Sequence, residues 1–400
     1  MNRYESDVNQ KTLTKCKDDL KNASKILTWN KRLLLLLGLW PESPIDFLFC
    51  ASAVYYIFYL GLDFVSFVLF LRKKILNVSI FIQLLAYGHI SARLLLLRRH
   101  NKTFGILFTE IKRDYELRNF ESDQELRMFL KYNRPAKTMI KMLFICSTFF
   151  GVVFYVRPFL TTYFVHRTIR KAHRNVTAPF FWNTYFYKFH KITTINVYAM
   201  HYVSEFPFSI LTGIISCATD CLVLTLGCHL SGRLAALSHR IRNVDFRNGS
   251  QEFKAVIRLH QQVLRRIAEM IEDSLSSLML CHILVASILM CIVLYKTLIR
   301  IILNFSLLLK CLRPGKRIHL INTVILLFLN ISRAVQAAFY ECKWYTMLLQ
   351  DRKLIILNLL RSQRPIRFAA GGLGTFSIQL FSEVLKSSLG YLSVLRNIVK

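Results

Sequence analysis

The sequence predicts an all-α membrane protein that crosses the bilayer seven times. Three observations carry that prediction. Apolar stretches long enough to cross a membrane recur along the whole chain. The composition is 54% hydrophobic over 400 residues. The basic residues behind a formal net charge of +31 sit mostly between the apolar stretches. About 20 apolar residues suffice for one crossing, and lipid offers the backbone no hydrogen-bond partner, so each crossing must be a helix.

The expected spans are 47–71, 78–97, 142–165, 195–226, 274–295, 318–338 and 373–395. The fifth carries no Asp, Glu, Lys or Arg. Residues 1–46 read as a cytoplasmic N-terminal tail with an interfacial segment. Its apolar run, 33–40, is too short to span and closes on Trp40-Pro41, where a tryptophan suits the headgroup region. The polar, basic stretch 1–32 has no cleavable-leader pattern, so the first span is expected to act as signal anchor.

Lysines and arginines in short flanking loops set orientation. The tail holds Lys11, Lys15, Lys17, Lys21, Lys25, Lys31 and Arg32, whereas the first loop has only Arg72, Lys73 and Lys74. This predicts a cytoplasmic N-terminus and, after seven crossings, an extracellular C-terminus. Of the Asn-x-Ser/Thr sequons, Asn175 then falls outside and is open to glycosylation, while Asn101 and Asn248 fall inside.

Between spans four and five the chain stays helical in pattern. Phe253, Val256, Ile257, His260, Val263, Leu264 and Ile267 recur at helical spacing, so 228–273 reads as cytoplasmic helical extensions within the 47–338 region. Residues 340–360 form a further amphipathic helix with Trp344, Tyr345, Leu348, Leu349 and Ile355 apolar, and 368–400 form the last helix. Such an apolar stripe outside the membrane packs on a neighbour.

Composition excludes several function classes. Charge placed between apolar spans fits anionic lipid headgroups rather than nucleic acid. Cys50, Cys146, Cys217, Cys221, Cys281 and Cys291 lie in apolar spans, where cysteine is a small buried hydrophobe, and there is no CxxC pair. No GxSxG, HExxH, P-loop or GxGxxG motif is present, and the eleven histidines are scattered. The sequence thus implies no enzyme, cofactor or metal.

Charges within spans are costly in hydrocarbon. Asp63 and Glu205 can face a wet cavity or a partner helix, or serve packing alone. Arg93 and Asp220 read as snorkelling to the cytoplasmic interface. Aromatic side chains concentrate in the outer halves of spans three and four: Phe149, Phe150, Phe154 and Tyr155, then Tyr198, Tyr202, Phe206 and Phe208. They suit either an apolar pocket for small molecules or plain packing.

Three stretches carry a resemblance: Trp29-Asn30-Lys31 with Leu37-Gly38-Leu39-Trp40-Pro41; Arg258-Leu259-His260-Gln261 through Tyr295; and Ala334 through Ile398, with its Arg-Ser-Gln-Arg-Pro hinge at 361–365 and glycines at 371, 372 and 374. Together they resemble insect odorant receptors, particularly hymenopteran members. The resemblance implies an odorant-gated, non-selective cation channel at the plasma membrane of sensory-neuron dendrites, with four subunits around one pore. It makes 339–367 a cytoplasmic anchor helix and 368–400 the pore-lining seventh helix. By position it assigns Val394, Asn397 and Ile398 to the gate. It assigns Thr148, Gly151 and Tyr155, with Phe81, Leu84, Tyr198 and Tyr202, to the ligand pocket, and Trp344 and Tyr345 to the anchor interface. The chain lacks the co-receptor's extended second cytoplasmic loop. It therefore resembles a ligand-binding subunit that pairs with the insect odorant co-receptor in a hetero-tetramer and takes small volatile organic ligands. One departure is the stretch 296–317, with six basic and no acidic residues.

Two rivals remain at this level. A gustatory receptor of the same superfamily would end in a Thr-Tyr…Gln-Phe pattern, where this chain has Gly390-Tyr391 and Arg396-Asn397. A G-protein-coupled receptor would carry an Asp-Arg-Tyr-like triplet and Asn-Pro-x-x-Tyr, and neither is present.

Overall fold

The computed structural model describes residues 10–73, 78–171, 195–244, 251–301, 333–347, 349–363, 382–383, 386–387 and 390. Among them no strand occurs. The helices are α1 (Gln10–Leu36), α2 (Asp46–Arg72), α3 (Val78–Arg99), α4 (Asn101–Asp114), α5 (Asp123–Lys171), α6 (Ile195–Arg242), α7 (Gln251–Gln262), α8 (Glu269–Ile301), α9 (333–341) and α10 (Leu349–Ser362). A π-helical turn, Val263–Ala268, joins α7 to α8.

Among the described residues five helices are long and apolar enough to cross a membrane: α2, α3, α5, α6 and α8. They contain the first five expected spans. The sixth and seventh expected spans lie mainly outside the described residues. Helix α5 makes the case for lipid most directly. Only 6% of its most apolar window is buried, and Met142, Ile145, Phe149 and Val152 are exposed. A helix that is apolar all round and uncovered by protein needs hydrocarbon as its solvent.

The chain divides into two compact units, Met1–Arg32, Arg99–Ile140 and Asp220–Lys400 in the first, Leu33–Arg98 and Lys141–Thr219 in the second. In the first unit the second half of α6 is the hub, buried nearly all round from Asp220 to Ser238. Phe104, Leu107 and Ile111 of α4, Leu126, Phe129 and Leu130 of α5, and Ile271 and Leu275 of α8 complete its core. Gly232 permits a close approach. A Cβ there would meet Asn133 Nδ2 and lie 3.0 Å from the Phe129 carbonyl oxygen.

A polar network threads this core. His229 Nε2 lies 3.0 Å and Arg233 Nε 3.3 Å from Asp114 Oδ2. Tyr115 donates to Asn133 Oδ1 at 3.1 Å, and Asn30 Nδ2 of α1 donates to Thr225 Oγ1 at 2.7 Å. Burial pushes the Asp114 carboxyl up, but the His229 hydrogen bond and the Arg233 guanidinium outweigh burial and hold it below its ordinary value. A depressed carboxylate stabilises the fold above its ordinary pKa, and that contribution is lost only as pH falls through the lower folded value.

Helix α1 departs from the tail expected for 1–32. It buries Cys16, Leu20, Ala23, Ile26, Leu27 and Asn30 at helical spacing, against solvent-facing Lys17, Lys21 and Lys25. An ion pair from Arg134 to Asp19 at 2.5 Å ties it to α5.

In the second unit α1 ends in a Schellman turn. Leu39 N–H donates to Leu34 O at 2.8 Å and Gly38 N–H to Leu35 O at 3.0 Å. Gly38 has φ of +67°, and a Cβ there would sit 2.9 Å from Phe49 N and closer still to Ile45 O. Gly38→Ala is therefore expected to cost about 1–2 kcal/mol for the left-handed backbone alone, with a clash added. Thermal unfolding of the purified variant checks this, and an unchanged midpoint would sink the assignment. Trp40 was expected at the headgroups, but it is 1% exposed, covered by protein. Its indole N–H donates to Glu42 at 3.1 Å, which satisfies the polar edge of a buried ring.

Arg93 does not snorkel either. It is 3% exposed, with Nε on His89 Nε2 at 3.1 Å and a guanidinium N–H donating to Thr219 Oγ1 at 3.0 Å. Asp220, the other residue read as snorkelling, is buried too. Protein partners are near enough to satisfy the Arg93 head group, so its side chain need not reach for the interface.

Candidate functional site: an aromatic cluster in the second unit

Helix α6 carries Pro207, which lacks an N–H and breaks the ladder of backbone hydrogen bonds. In that interrupted turn the Ser204 carbonyl accepts hydrogen bonds from Tyr55 at 2.5 Å and Tyr59 at 2.8 Å, both from α2. Phe208, one turn further, stacks on Tyr56 and Tyr59 with centroids 4.8 and 4.9 Å away and meets Tyr87 of α3 edge-on at 4.8 Å. Three rings from two helices thus enclose a buried phenylalanine.

A second group of rings joins α5 to α6. Tyr155 and Tyr202 have centroids 4.4 Å apart, and each hydroxyl donates to the other's carbonyl oxygen, Tyr155 at 2.8 Å. Phe206 lies 5.4 Å from Tyr155, and Phe159 5.9 Å from Tyr202. Tyr198 lies 5.9 Å from Tyr202, and its hydroxyl shares a hydrogen bond with Thr162 at 3.3 Å.

Of the sequence-assigned pocket residues, the structure brings Tyr155, Tyr198 and Tyr202 into one cluster. Phe81 stacks on Phe67 at 5.6 Å. Leu84 and Gly151 are half-buried, with open space where a Gly151 Cβ would stand, and Thr148 is exposed. Sequence reading missed Tyr55, Tyr56, Tyr59, Tyr87, Phe159 and Thr162. The available signal was a run of tyrosines at helical spacing inside a span, since each buried hydroxyl there needs a protein partner. Asp63 and Glu205 are buried, at 1% and 2% exposure.

In the first unit, Trp344 and Tyr345 fall on a short 3-10 turn, Trp344–Thr346, with rings 6.3 Å apart and exposed, as are Tyr340, Ile356, Leu357 and Leu360. Arg352 braces the turn by donating to the carbonyls of Met347 and Tyr345 at 3.1 and 3.0 Å. Behind α10 a cavity of about 520 Å³ is lined by Ile257, His260, Leu354, Asn358 and Arg361 among others. Burial pushes the His260 imidazole down to about 4, helped by Arg361 and opposed by a hydrogen bond to Asn358, so it is neutral at physiological pH. Val394, Asn397 and Ile398, assigned to the gate, lie outside the described residues, as does Asn175.

The fold is that of a polytopic helical membrane protein with a tyrosine-rich cluster between two of its spans. The comparisons name the family. The family model described as 7tm Odorant receptor matches residues 77–309 and 328–389, and the chain belongs to that family. Among solved structures, the insect olfactory receptor OR5 from Machilis hrabei superposes with a TM-score of 0.70 at 12% identity, over 94% of this chain and 99% of that one. The same receptor in complex with eugenol gives 0.72 at 13% identity, over 94% and 100%. The chain is similar to these structures in fold over nearly its whole length. It is a multi-pass membrane receptor of the odorant receptor family.

Proposed function

We propose that this chain is the ligand-binding subunit of a heteromeric, odorant-gated, non-selective cation channel, assembled with the insect odorant co-receptor in the dendritic plasma membrane of olfactory neurons. The observation that carries this reading is the ring cluster of Tyr155, Tyr198 and Tyr202 in a chain of the odorant receptor family. An aromatic wall with few polar groups suits a small volatile molecule. The related receptor solved with eugenol supports a volatile organic ligand as the class. Thr148, Gly151, Phe81 and Leu84 complete the proposed pocket.

Exposed Tyr340, Trp344, Tyr345, Ile356, Leu357 and Leu360 supply an apolar surface for neighbouring subunits. The N-terminus lies in the cytoplasm, the C-terminus outside, and residues 368–400 line the pore with Val394, Asn397 and Ile398 at the gate. The ligand opens the pore only by the difference in its affinity for the open and closed states.

Whole-cell recording tests the reading. Cells expressing this chain with the co-receptor should carry a ligand-evoked, non-selective cation current to some members of a broad volatile panel. Cells with either subunit's partner omitted should not show that tuned response. Silence across the panel, with surface expression confirmed, would defeat the proposal.

A further inference from the structure

In the first unit, α7 and α10 contribute the walls of the cavity of about 520 Å³, and its lining has three parts. Ile257, Leu354 and Leu357 make it apolar. Glu269 and Arg361 line it with opposite charges, so it favours neither cations nor anions as a class. His260 and Asn358, 3% and 8% exposed, are its buried polar groups. Leu357 is 62% exposed, so the cavity opens beside α10. A cavity of this size with a few fixed polar groups suits a small molecule.

His260 supplies the specific group. Burial lowers its pKa to about 4, so the imidazole is neutral at physiological pH and carries one N–H and one bare nitrogen. The hydrogen bond with Asn358 raises that pKa, as a bond donated by the ring does. Asn358 donates its own amide to the Leu354 carbonyl at 2.7 Å, which leaves its side-chain oxygen for the ring. Nδ1 of His260 has no hydrogen-bond partner among the described residues. It is the bare acceptor, and a buried acceptor without a donor is costly. Buried Phe339, its ring 5.2 Å from the imidazole, holds the ring in place.

The chain departs from regular helix at the same place. The π-helical turn Val263–Ala268 lies between Gln261 and Glu269, both of which line the cavity. Such turns are rare and occur frequently at functional sites.

We propose that this cavity is a second small-molecule site, in a different unit from the ring cluster, for neutral molecules that carry a hydroxyl donor on an apolar body. The hydroxyl donates to His260 Nδ1, and the body lies against Ile257, Leu354 and Leu357. By sequence, α10 leads through the 361–365 hinge to the last expected span, so a ligand here braces the element that precedes that span. The site does not depend on which molecules the ring cluster takes.

Photolabelling of the full-length chain in lipid nanodiscs tests this. The probe is a diazirine-bearing phenol, the competitors are para-cresol and its methyl ether, and labelled peptides are mapped by mass spectrometry. Peptides of α7 and α10 should be labelled. Para-cresol should suppress that labelling at a concentration about ten-fold or more below the ether's, the discrimination left when a buried acceptor goes unpaired. His260→Phe keeps an aromatic ring but no acceptor, and should remove the difference between the competitors. No labelling of α7 or α10, equal suppression by both competitors, or a preference that survives His260→Phe overturns the inference. If His260→Phe does not fold, the competitors' comparison in wild type decides. Labelling that is lost when the co-receptor is co-expressed would mean that a neighbouring subunit fills the cavity, and also overturns it.

Discussion

Asp114→Ala is expected to abolish folding or leave a protein of sharply reduced thermal stability. The substitution removes the carboxylate that faces both His229 and Arg233, whose side chains are 1% and 7% exposed. A guanidinium left in that core without its counter-charge costs about 3–5 kcal/mol, a large share of the net stability of any domain. The pair itself need not be worth that much. Replacing Asp114 and Arg233 together by apolar residues of similar volume should recover most of the loss, because the penalty comes from the stranded charge. Unfolding curves of the purified single and double variants give the coupling directly. A single variant with a wild-type midpoint would show that the network carries no stability. The same cycle at Asn133 and Tyr115 probes the neighbouring bond, where the buried amide faces Gly232 across the α5–α6 contact.

Tyr155→Ala is expected to reorder the ligands that activate the receptor. The side chain stacks at 4.4 Å on Tyr202, lies 5.4 Å from Phe206, and donates its hydroxyl to the Tyr202 carbonyl. Its removal opens the cluster by the volume of a phenol ring. Ligands that used the ring face should lose about ten-fold or more in potency, since large-to-small aromatic changes cost several kcal/mol. Bulkier molecules should gain access. Changing Val394, by contrast, should alter conduction for every ligand without changing their order. Concentration–response curves over the same volatile panel check both. A ranking that survives Tyr155→Ala intact would remove Tyr155 from the pocket.

The two variants address different levels of the molecule. Asp114 belongs to the packing of the first unit, and its loss should reduce the amount of folded receptor for all ligands. Tyr155 belongs to the second unit's cluster, and its loss should change the pattern of response at similar surface levels. Measuring surface expression beside current therefore separates a folding defect from a recognition defect.

Much of the fold was legible in the sequence because bilayer physics is one-dimensional. A run of about 20 apolar residues has one stable outcome in hydrocarbon, and the first five runs fall within helices α2, α3, α5, α6 and α8. Tyr155, Tyr198 and Tyr202 were also legible, among the aromatic side chains concentrated in the outer halves of spans three and four. Other features depended on what packs beside them. Helix α1 read as a basic tail because its buried face mixes Leu20, Ile26 and Leu27 with small or polar Cys16, Ala23 and Asn30, which register weakly in any hydropathy pattern. Asn30 belongs in a core only because Thr225 of α6 accepts its hydrogen bond at 2.7 Å.

Trp40 and Arg93 show the same dependence. A tryptophan before a proline and an arginine within a span both suit the membrane interface on average, and the sequence carries only the average. Whether they reach water or lipid is decided by the presence of Glu42 beside one and His89 and Thr219 beside the other. By itself, then, the sequence determined the helical class, the place of the first five apolar spans, the absence of enzyme motifs and the resemblance to odorant receptors, because each follows from residue type and spacing along the chain. Only the tertiary structure decided which tyrosines meet, that α2 contributes Tyr55 and Tyr59 to the turn before Pro207, and that the acids within the spans are buried. Contacts between helices distant in sequence are set by the packing of faces in three dimensions, and no local pattern encodes which face meets which.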